Sequence, residues 1–370
     1  MKISVERAAL IPALSVVGGV VERRQTLPIL GNLLIDAEGD QIRLKGTDLE
    51  IEISSVVNAK IHEPGSTTLP ARKLIDIVRS LPDQGVVELR TEGDRASLVC
   101  ERSRFVLSTL SATDFPAMES PAAEICLTLD RDVLRRLLEK TSFAMAHQDV
   151  RYYLNGVLLE FGPQRMTAVA TDGHRLSKVN GQVYKVETTP DFESRQVIIP
   201  AKTVTELKRL LSTASEDVRL GVSERTLRVD LANTVVVSKL VEGQYPDYNR
   251  VIPAGLERRA TIDREGLRAA LQRTAILSNE KYKGVRVTFD EGRLLLETNN
   301  PEKELAEDEL EIEYSGEKVS VGFNVAYVLD VLSAVDAPLV DVEFGNAESS
   351  AVWHGKGSAD EVFVIMPMRL

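Results

Sequence analysis

Apolar residues along this chain fall into two periods. Leu74, Ile75, Val78 and Leu81 recur at the three-to-four spacing of one helical face, and Leu134, Leu137 and Leu138 do the same further on. Elsewhere the pattern alternates. Glu309-Leu310-Glu311-Ile312-Glu313-Tyr314 puts acid and apolar residues on opposite sides, as a strand with one wet face requires. Helices are therefore expected from Ala71 onward, over 131–140, over 201–212, around Arg264 to Arg273 and over 324–335, each set among short strands.

These elements follow a plan written three times. Leu44-Lys45-Gly46-Thr47-Asp48, Leu69-Pro70-Ala71-Arg72-Lys73, Leu107-Ser108-Thr109-Leu110 and Phe115-Pro116 make the first copy. Ala168-Val169-Ala170-Thr171-Asp172, Ile199-Pro200-Ala201-Lys202, Val237-Ser238-Lys239-Leu240 and Tyr245-Pro246 make the second. In a more divergent third, Thr298-Asn299 stands for Thr-Asp, Gly322-Phe323-Asn324 for Pro-Ala-Arg/Lys, and Met366-Pro367 closes the chain. A period of 124 (Asp48 to Asp172) to 130 residues (Pro70 to Pro200) is too long for a solenoid unit and suits tandem globular domains. Domain limits of 1–123, 124–252 and 253–370 follow, within a chain of 370 residues that has room for three cores.

Charge sharpens this picture. The net charge of −11, from 45 basic and 56 acidic residues, runs against the basic balance of a simple nucleic-acid binder. The distribution is uneven, however. Segment 131–140 carries Arg131, Arg135, Arg136 and Lys140 against Asp132 and Glu139, and 201–212 carries Lys202, Lys208 and Arg209 against Glu206. From Glu302 to Glu313 the acids instead outnumber a single lysine. Basic helices on one side and acidic sheets on the other let an acidic protein present only its helices to a polyanion. The second helix of the third copy lacks basic residues.

The chain has no apolar run near the roughly 20 residues that cross a bilayer, and its start, Met1-Lys2-Ile3-Ser4-Val5-Glu6-Arg7, is polar. Cys100 and Cys126 make no metal-type spacing, which fits a reduced cytoplasm. Catalysis finds little support. Asp172 and His174 are an acid–base candidate pair without a Gly-x-Ser-x-Gly nucleophile motif. His62, His147, His174 and His354 lack the HExxH spacing of a zinc site, and Gly355-Lys356-Gly357-Ser358 is no P-loop. Neither a metal nor a cofactor is expected, and the chain reads as a non-enzyme.

Longer motifs carry a resemblance. Thr26-Leu27-Pro28-Ile29-Leu30-Gly31-Asn32, Gln148-Asp149-Val150-Arg151-Tyr152-Tyr153-Leu154-Asn155-Gly156, Ala170-Thr171-Asp172-Gly173-His174-Arg175-Leu176, Tyr245-Pro246-Asp247-Tyr248, Ala275-Ile276-Leu277-Ser278-Asn279-Glu280-Lys281 and Met366-Pro367-Met368-Arg369-Leu370 resemble, in order and over essentially the whole chain, the bacterial DNA polymerase III β subunit, the sliding-clamp family. The resemblance implies an α+β fold of three clamp domains and a head-to-tail homodimer. Six domains would then close a ring, helices inside and antiparallel sheets outside, that holds double-stranded DNA topologically and confers processivity on a polymerase. Such a ring needs only weak, sequence-independent phosphate contacts.

It further implies a pocket between the second and third domains that takes short peptides, often of Gln-Leu-x-Leu/Phe type, from polymerases, the clamp loader and repair proteins. By motif its lining is Leu154, Thr171, Gly173, His174, Arg175, Leu176, Pro246, Val251, Val364, Met366, Pro367, Met368 and Arg369. Aliphatic and Met side chains suit varied apolar anchors, while His174, Arg175 and Arg369 can meet polar groups or a carboxylate. Asp341 departs from the small polar residue of relatives, so that wall is left unassigned. For DNA the resemblance points to Arg24, Gln148, Tyr152 and Tyr153, and helix charge adds Lys73, Arg136, Lys202 and Lys208. For the dimer it points to Phe105 and Leu107 against Ile276 and Leu277. A cytosolic peptide-binding scaffold without DNA encirclement is the competing expectation, and a hydrolase using His174 a third.

Overall fold

The computed structural model of the chain describes residues 1–22, 27–119, 121–183, 185–187, 194–213 and 216–369. Six α-helices occur among them, two to each repeat: α1 (Arg7–Val17), α2 (Ala71–Ser80), α3 (Arg131–Ser142), α4 (Ala201–Leu211), α5 (Arg264–Thr274) and α6 (Val325–Ala334). Among the described residues all strand pairs are antiparallel. They form sheets of five, nine, eight and four strands.

Helix starts differ between the first and third copies. Pro70 stands at the N-cap of α2 with φ −56°, pre-set for the turn into the helix, and makes no side-chain cap. At the matching place in the third copy Asn324 caps α6 by accepting from the Ala326 amide at 2.9 Å, and Asp263 caps α5 from Gly266 at 2.7 Å. Pro12 lies inside α1, where it removes one helical donor. Burial of Leu10, Ala13, Leu14 and Val17 holds that helix against the sheet nonetheless.

The chain divides into two compact units. Unit 1 comprises Met1–Asp132, Val183–Phe192 and Thr205–Leu240, and unit 2 comprises Val133–Gln182, Glu193–Val204 and Val241–Leu370. The middle repeat is split because each of its sheets runs on into a neighbouring repeat. In unit 1 the nine-stranded sheet joins the repeats where Thr234–Lys239 pairs with Ile51–Asn58, in the register Thr234 to Ser55. In unit 2 the eight-stranded sheet joins them where Glu361–Ile365 pairs with Arg175–Gln182, in the register Glu361 to Val179. These two places are the first and second joints below.

Aliphatic residues fill unit 1, with Leu14, Leu33, Leu44 and Ile51 fully buried. Unit 2 adds an aromatic cluster in which Phe289 stacks on Phe344 at 4.2 Å and Trp353 meets Phe323 edge-on at 5.9 Å. Over Glu309–Tyr314 the acids are exposed and the apolar residues half-buried or buried, as their alternation predicts, although the strand itself, Leu305–Glu311, starts earlier and ends at Glu311.

On α5 the three arginines have partners within the chain. Arg264 donates to the carbonyls of Leu332 and Val335 and so caps the end of α6, Arg273 pairs with Asp308 at 2.7 Å, and Arg268 pairs with Glu265 at 3.6 Å. Of these, Arg264 ties α5 to α6, while Arg268 pairs within its own helix. Net local charge in the sequence does not show which partners the fold will bring.

Candidate functional site

The Thr171–Arg175 turn is the centre of the site, and its residue types dictate its shape. The Thr171 hydroxyl donates to the Arg175 carbonyl at 2.6 Å and accepts from the Gly173 amide at 3.1 Å. Asp172 Oδ1 accepts the amides of His174 and Arg175 at 2.9 and 3.0 Å. Thr and Asp thus satisfy the turn from within. Gly173 has φ +90°, a conformation L side chains rarely adopt, and a Cβ there would lie 3.0 Å from Arg151 Nη1. The first copy folds Thr47–Ile51 into the same turn with the same bonds, Leu49 taking φ +78°.

Beside this turn an apolar floor gathers. Leu154, Leu176 and Val364 are buried in one cluster with Leu158, Val169, Ile198, Tyr245, Tyr248 and Val352, and Tyr153 and Val251 pack against it half-buried. The ladder sets Leu176 opposite Val364. The C-terminal segment lies along the rim, its Met366 amide donating to the His174 carbonyl at 2.9 Å and its Met368 amide to Gly322 at 2.8 Å. His174, Pro246, Met366 and Arg369 are exposed there, and Pro367 and Met368 half-buried. Burial pushes the Tyr248 hydroxyl up to about 12, with the Glu160 carboxylate adding to the effect, so it stays a neutral donor to Glu160 at 3.1 Å.

Arg175 does not play the part expected of it. Its guanidinium donates to Asp172 at 3.1 Å, to the Phe143 carbonyl at 2.5 Å and to Asp330 of α6 at 2.5 Å. It also lies over the Tyr327 ring at 4.3 Å. A group so engaged shapes the pocket's edge and is not offered to a peptide carboxylate. The Asp172–His174 acid–base pair fails likewise: Asp172 holds the His174 backbone amide and the Arg175 side chain.

Residues 146–155 form a braced loop next to the turn. Its base closes through the Ala146 amide to the Leu154 carbonyl at 3.0 Å, and Asn155 and Asp149 exchange two bonds across it. Arg151 chelates Asp149 at 3.0 and 2.8 Å and donates to the Asp172 carbonyl at 3.1 Å. Those bonds hold the Asp149 carboxyl down at about 2. The loop displays Gln148 at φ +54° and Tyr152, 56% exposed, with Tyr153 half-buried and edge-on to it at 5.9 Å. Both tyrosines sit on a 3₁₀ turn, Tyr152–Leu154, and the next strand begins at Gly156.

The other candidates scatter. Arg24 lies outside the described residues. Lys73 is exposed on α2, Lys202 and Lys208 are half-buried on α4, and Arg136 reaches Glu361 and the Asn180 carbonyl, both at 3.4 Å. Leu107 is buried within its own unit and Phe105 half-buried, whereas Ile276 is 78% exposed beside half-buried Leu277. Asp341 is no pocket wall: it is buried in the sheet, accepting from Arg259 and Thr261, both at 2.5 Å. No cluster of three or more His, Cys, Asp or Glu suited to a metal occurs among the described residues. Tyr245, Tyr248 and Val352 escaped the sequence reading. Tyr245-Pro246-Asp247-Tyr248 flagged the segment, but only the fold shows its rings turned into the floor.

Comparison with known proteins agrees along the whole chain. The DNA polymerase III beta subunit N-terminal domain matches residues 1–119, the central domain 128–247 and the C-terminal domain 249–369. The chain is 45% identical over 373 residues to the beta sliding clamp of Pseudomonas aeruginosa and 43% identical over 371 residues to that of Escherichia coli, with 100% of each chain covered in both cases. Among solved structures it is similar to the DNA polymerase III subunit beta from Pseudomonas aeruginosa, with TM-score 0.96, 44% identity and 100% of both chains covered. The sliding clamp from the same organism bound to griselimycin gives the same values, and Caulobacter crescentus pol III beta gives 0.94 and 38%, again over 100% of both.

Proposed function

Since the chain belongs to the DNA polymerase III beta subunit family, we propose that it is a sliding clamp: a processivity factor that encircles duplex DNA and docks polymerases, clamp loader and repair proteins by short peptides. It turns over no substrate and works in the cytoplasm. The observation that carries this reading is the buried apolar cluster of Leu154, Leu176, Tyr245 and Val364 beneath exposed His174, Pro246 and Met366, a place suited to an apolar peptide anchor.

Ring closure is supported by the free edges of each unit. Strand Ser103–Ser108 ends the five-stranded sheet of unit 1, with Val106 turned outward beside exposed Arg102 and Arg104. Strand Leu305–Glu311 ends the four-stranded sheet of unit 2 and is acidic, with Ile276 and Leu305 exposed near it. Two such edges of opposite charge suit head-to-tail pairing between one protomer and its partner, and two such pairings close the assembly. Phe105, Ile276 and Leu277 then add apolar area to that contact. Gln148, Tyr152 and Lys73 serve as weak phosphate contacts.

The test is retention on DNA. Loaded onto a nicked circular duplex, the protein stays bound through gel filtration and is lost once the circle is cut to a linear form. Equal retention on both forms overturns encirclement.

A further inference from the structure

The two joints share one backbone design and differ in their side chains. At the first, the Val56 amide donates to Asn233 and the Lys239 amide to Glu50; at the second, Asn180 donates to Asp360 and Met366 to His174. Glu361 lies opposite Val179 as Thr234 lies opposite Ser55. On this correspondence Lys140 of α3 matches Val16 of α1, and Glu361 matches Thr234.

Lys140 and Glu361 form a buried ion pair at 2.6 Å, their side chains only 8% and 4% exposed, and Lys140 also reaches Asp336 at 2.7 Å. Space is kept for it, since a Cβ on Gly355 would stand 3.2 Å from Glu361 Oε1. At the first joint Val16 and Thr234 instead line an open groove of about 650 Å³. That joint forms without any such pair, so the backbone design does not require one. Desolvating two charges is costly, and apolar replacements of a buried pair are often neutral or stabilising.

The position of the pair shows what it acts on. Glu361 begins the strand that carries Val364, and the Lys140 carbonyl accepts the buried Ser177 hydroxyl at 2.6 Å, one residue from Leu176. Leu176 and Val364, from opposite repeats, are the facing halves of the pocket floor. We infer that Lys140 and Glu361 are a positioning pair for peptide docking, fixing the tilt and register of the two strands from which the floor is built. This inference rests on the docking reading above.

The test uses the full-length chain and a fluorescein-labelled peptide Gln-Leu-Ser-Leu-Phe, with anisotropy for affinity and Trp353 fluorescence in urea for stability. The double variant Lys140→Met/Glu361→Leu is expected to keep or raise the unfolding midpoint and to bind the peptide at least tenfold more weakly. Lys140→Arg, which keeps the charge but changes the reach, is expected to fall between. Peptide affinity within twofold of the parent in the double variant overturns the inference, as does an affinity loss that only follows a lowered midpoint. If the parent itself does not bind the peptide, the docking reading falls first and this inference with it.

Discussion

Replacing Gly173 by alanine tests whether the shape of the 171–175 turn, rather than its chemistry, holds the docking site. At φ +90° a non-glycine residue costs about 1–2 kcal/mol. Alanine recovers about 0.4–1 kcal/mol of this by restricting the unfolded chain. The net conformational loss is therefore about 1 kcal/mol. A contact effect adds to it, because the new Cβ stands 3.0 and 3.3 Å from the two terminal nitrogens of Arg151, and the guanidinium must shift off the Asp172 carbonyl. Urea unfolding followed through Trp353, the single tryptophan and a buried reporter in the same unit, reads the stability term. With an m-value of about 3 kcal/mol/M the midpoint falls by about 0.3 M. Peptide anisotropy reads the docking term, expected to weaken several-fold. Repeating the substitution on an Arg151→Ala background removes the contact and leaves the conformation. The stability loss should then remain near 1 kcal/mol while the docking loss shrinks. An unchanged midpoint in Gly173→Ala, or a stability loss that vanishes with Arg151, refutes the conformational argument.

Three further outcomes follow from the same geometry. Leu49→Gly relieves a left-handed leucine (φ +78°) in the matching turn, offset by roughly 0.5–1 kcal/mol of glycine entropy and some lost packing, so stability by urea melt should hold or rise. A drop of 2 kcal/mol or more, of the order seen for interior Leu truncations, would show that the side chain is core. The Asp149 carboxyl, held at about 2 by Arg151 against an ordinary 3.8, keeps its brace above about pH 4 and loses it as pH falls toward 2. By NMR it should remain ionised at pH 3 in the parent and titrate near 4 in Arg151→Ala; identical titration in both breaks the assignment. Met366→Lys puts a charge on a rim residue 36% exposed, and should cost at least tenfold in peptide affinity with the unfolding midpoint unchanged.

What could be read from the sequence was whatever depends on near neighbours. Thr171 and Asp172 satisfy their own turn, Leu134 and Leu137 mark one face of α3, and the acid–apolar alternation marks the strand Leu305–Glu311. What stayed hidden depends on partners far along the chain. Arg175 looked like a ligand for a carboxylate until Asp330, 155 positions away, appeared against it. Arg264 opens α5 in the sequence, and only the fold shows it capping α6, 71 positions away. Leu107 is buried in its own unit while Ile276 is exposed, a difference that residue type alone does not tell. The α1 helix lacks a strong amphipathic pattern and holds Pro12, so only its packing secures it.

The repeat explains why one joint in each chain docks peptides. A duplicated domain offers the same turn and the same ladder twice, and selection by partners then requires that one of them be closed. At the first joint the places of His174, Leu176 and Met366 are taken by Glu50, Glu52 and Lys239. Glu50 and Lys239 pair at 3.2 Å, and buried Glu52 accepts the Met118 amide at 3.3 Å. An apolar anchor laid there would have to strip charges of water without replacing their partners. At the second joint the charges are drawn into Arg175–Asp330 and Lys140–Glu361, and the cluster beside them is apolar. Charge placement at two copies of one backbone, more than any new fold element, separates a structural seam from a binding site.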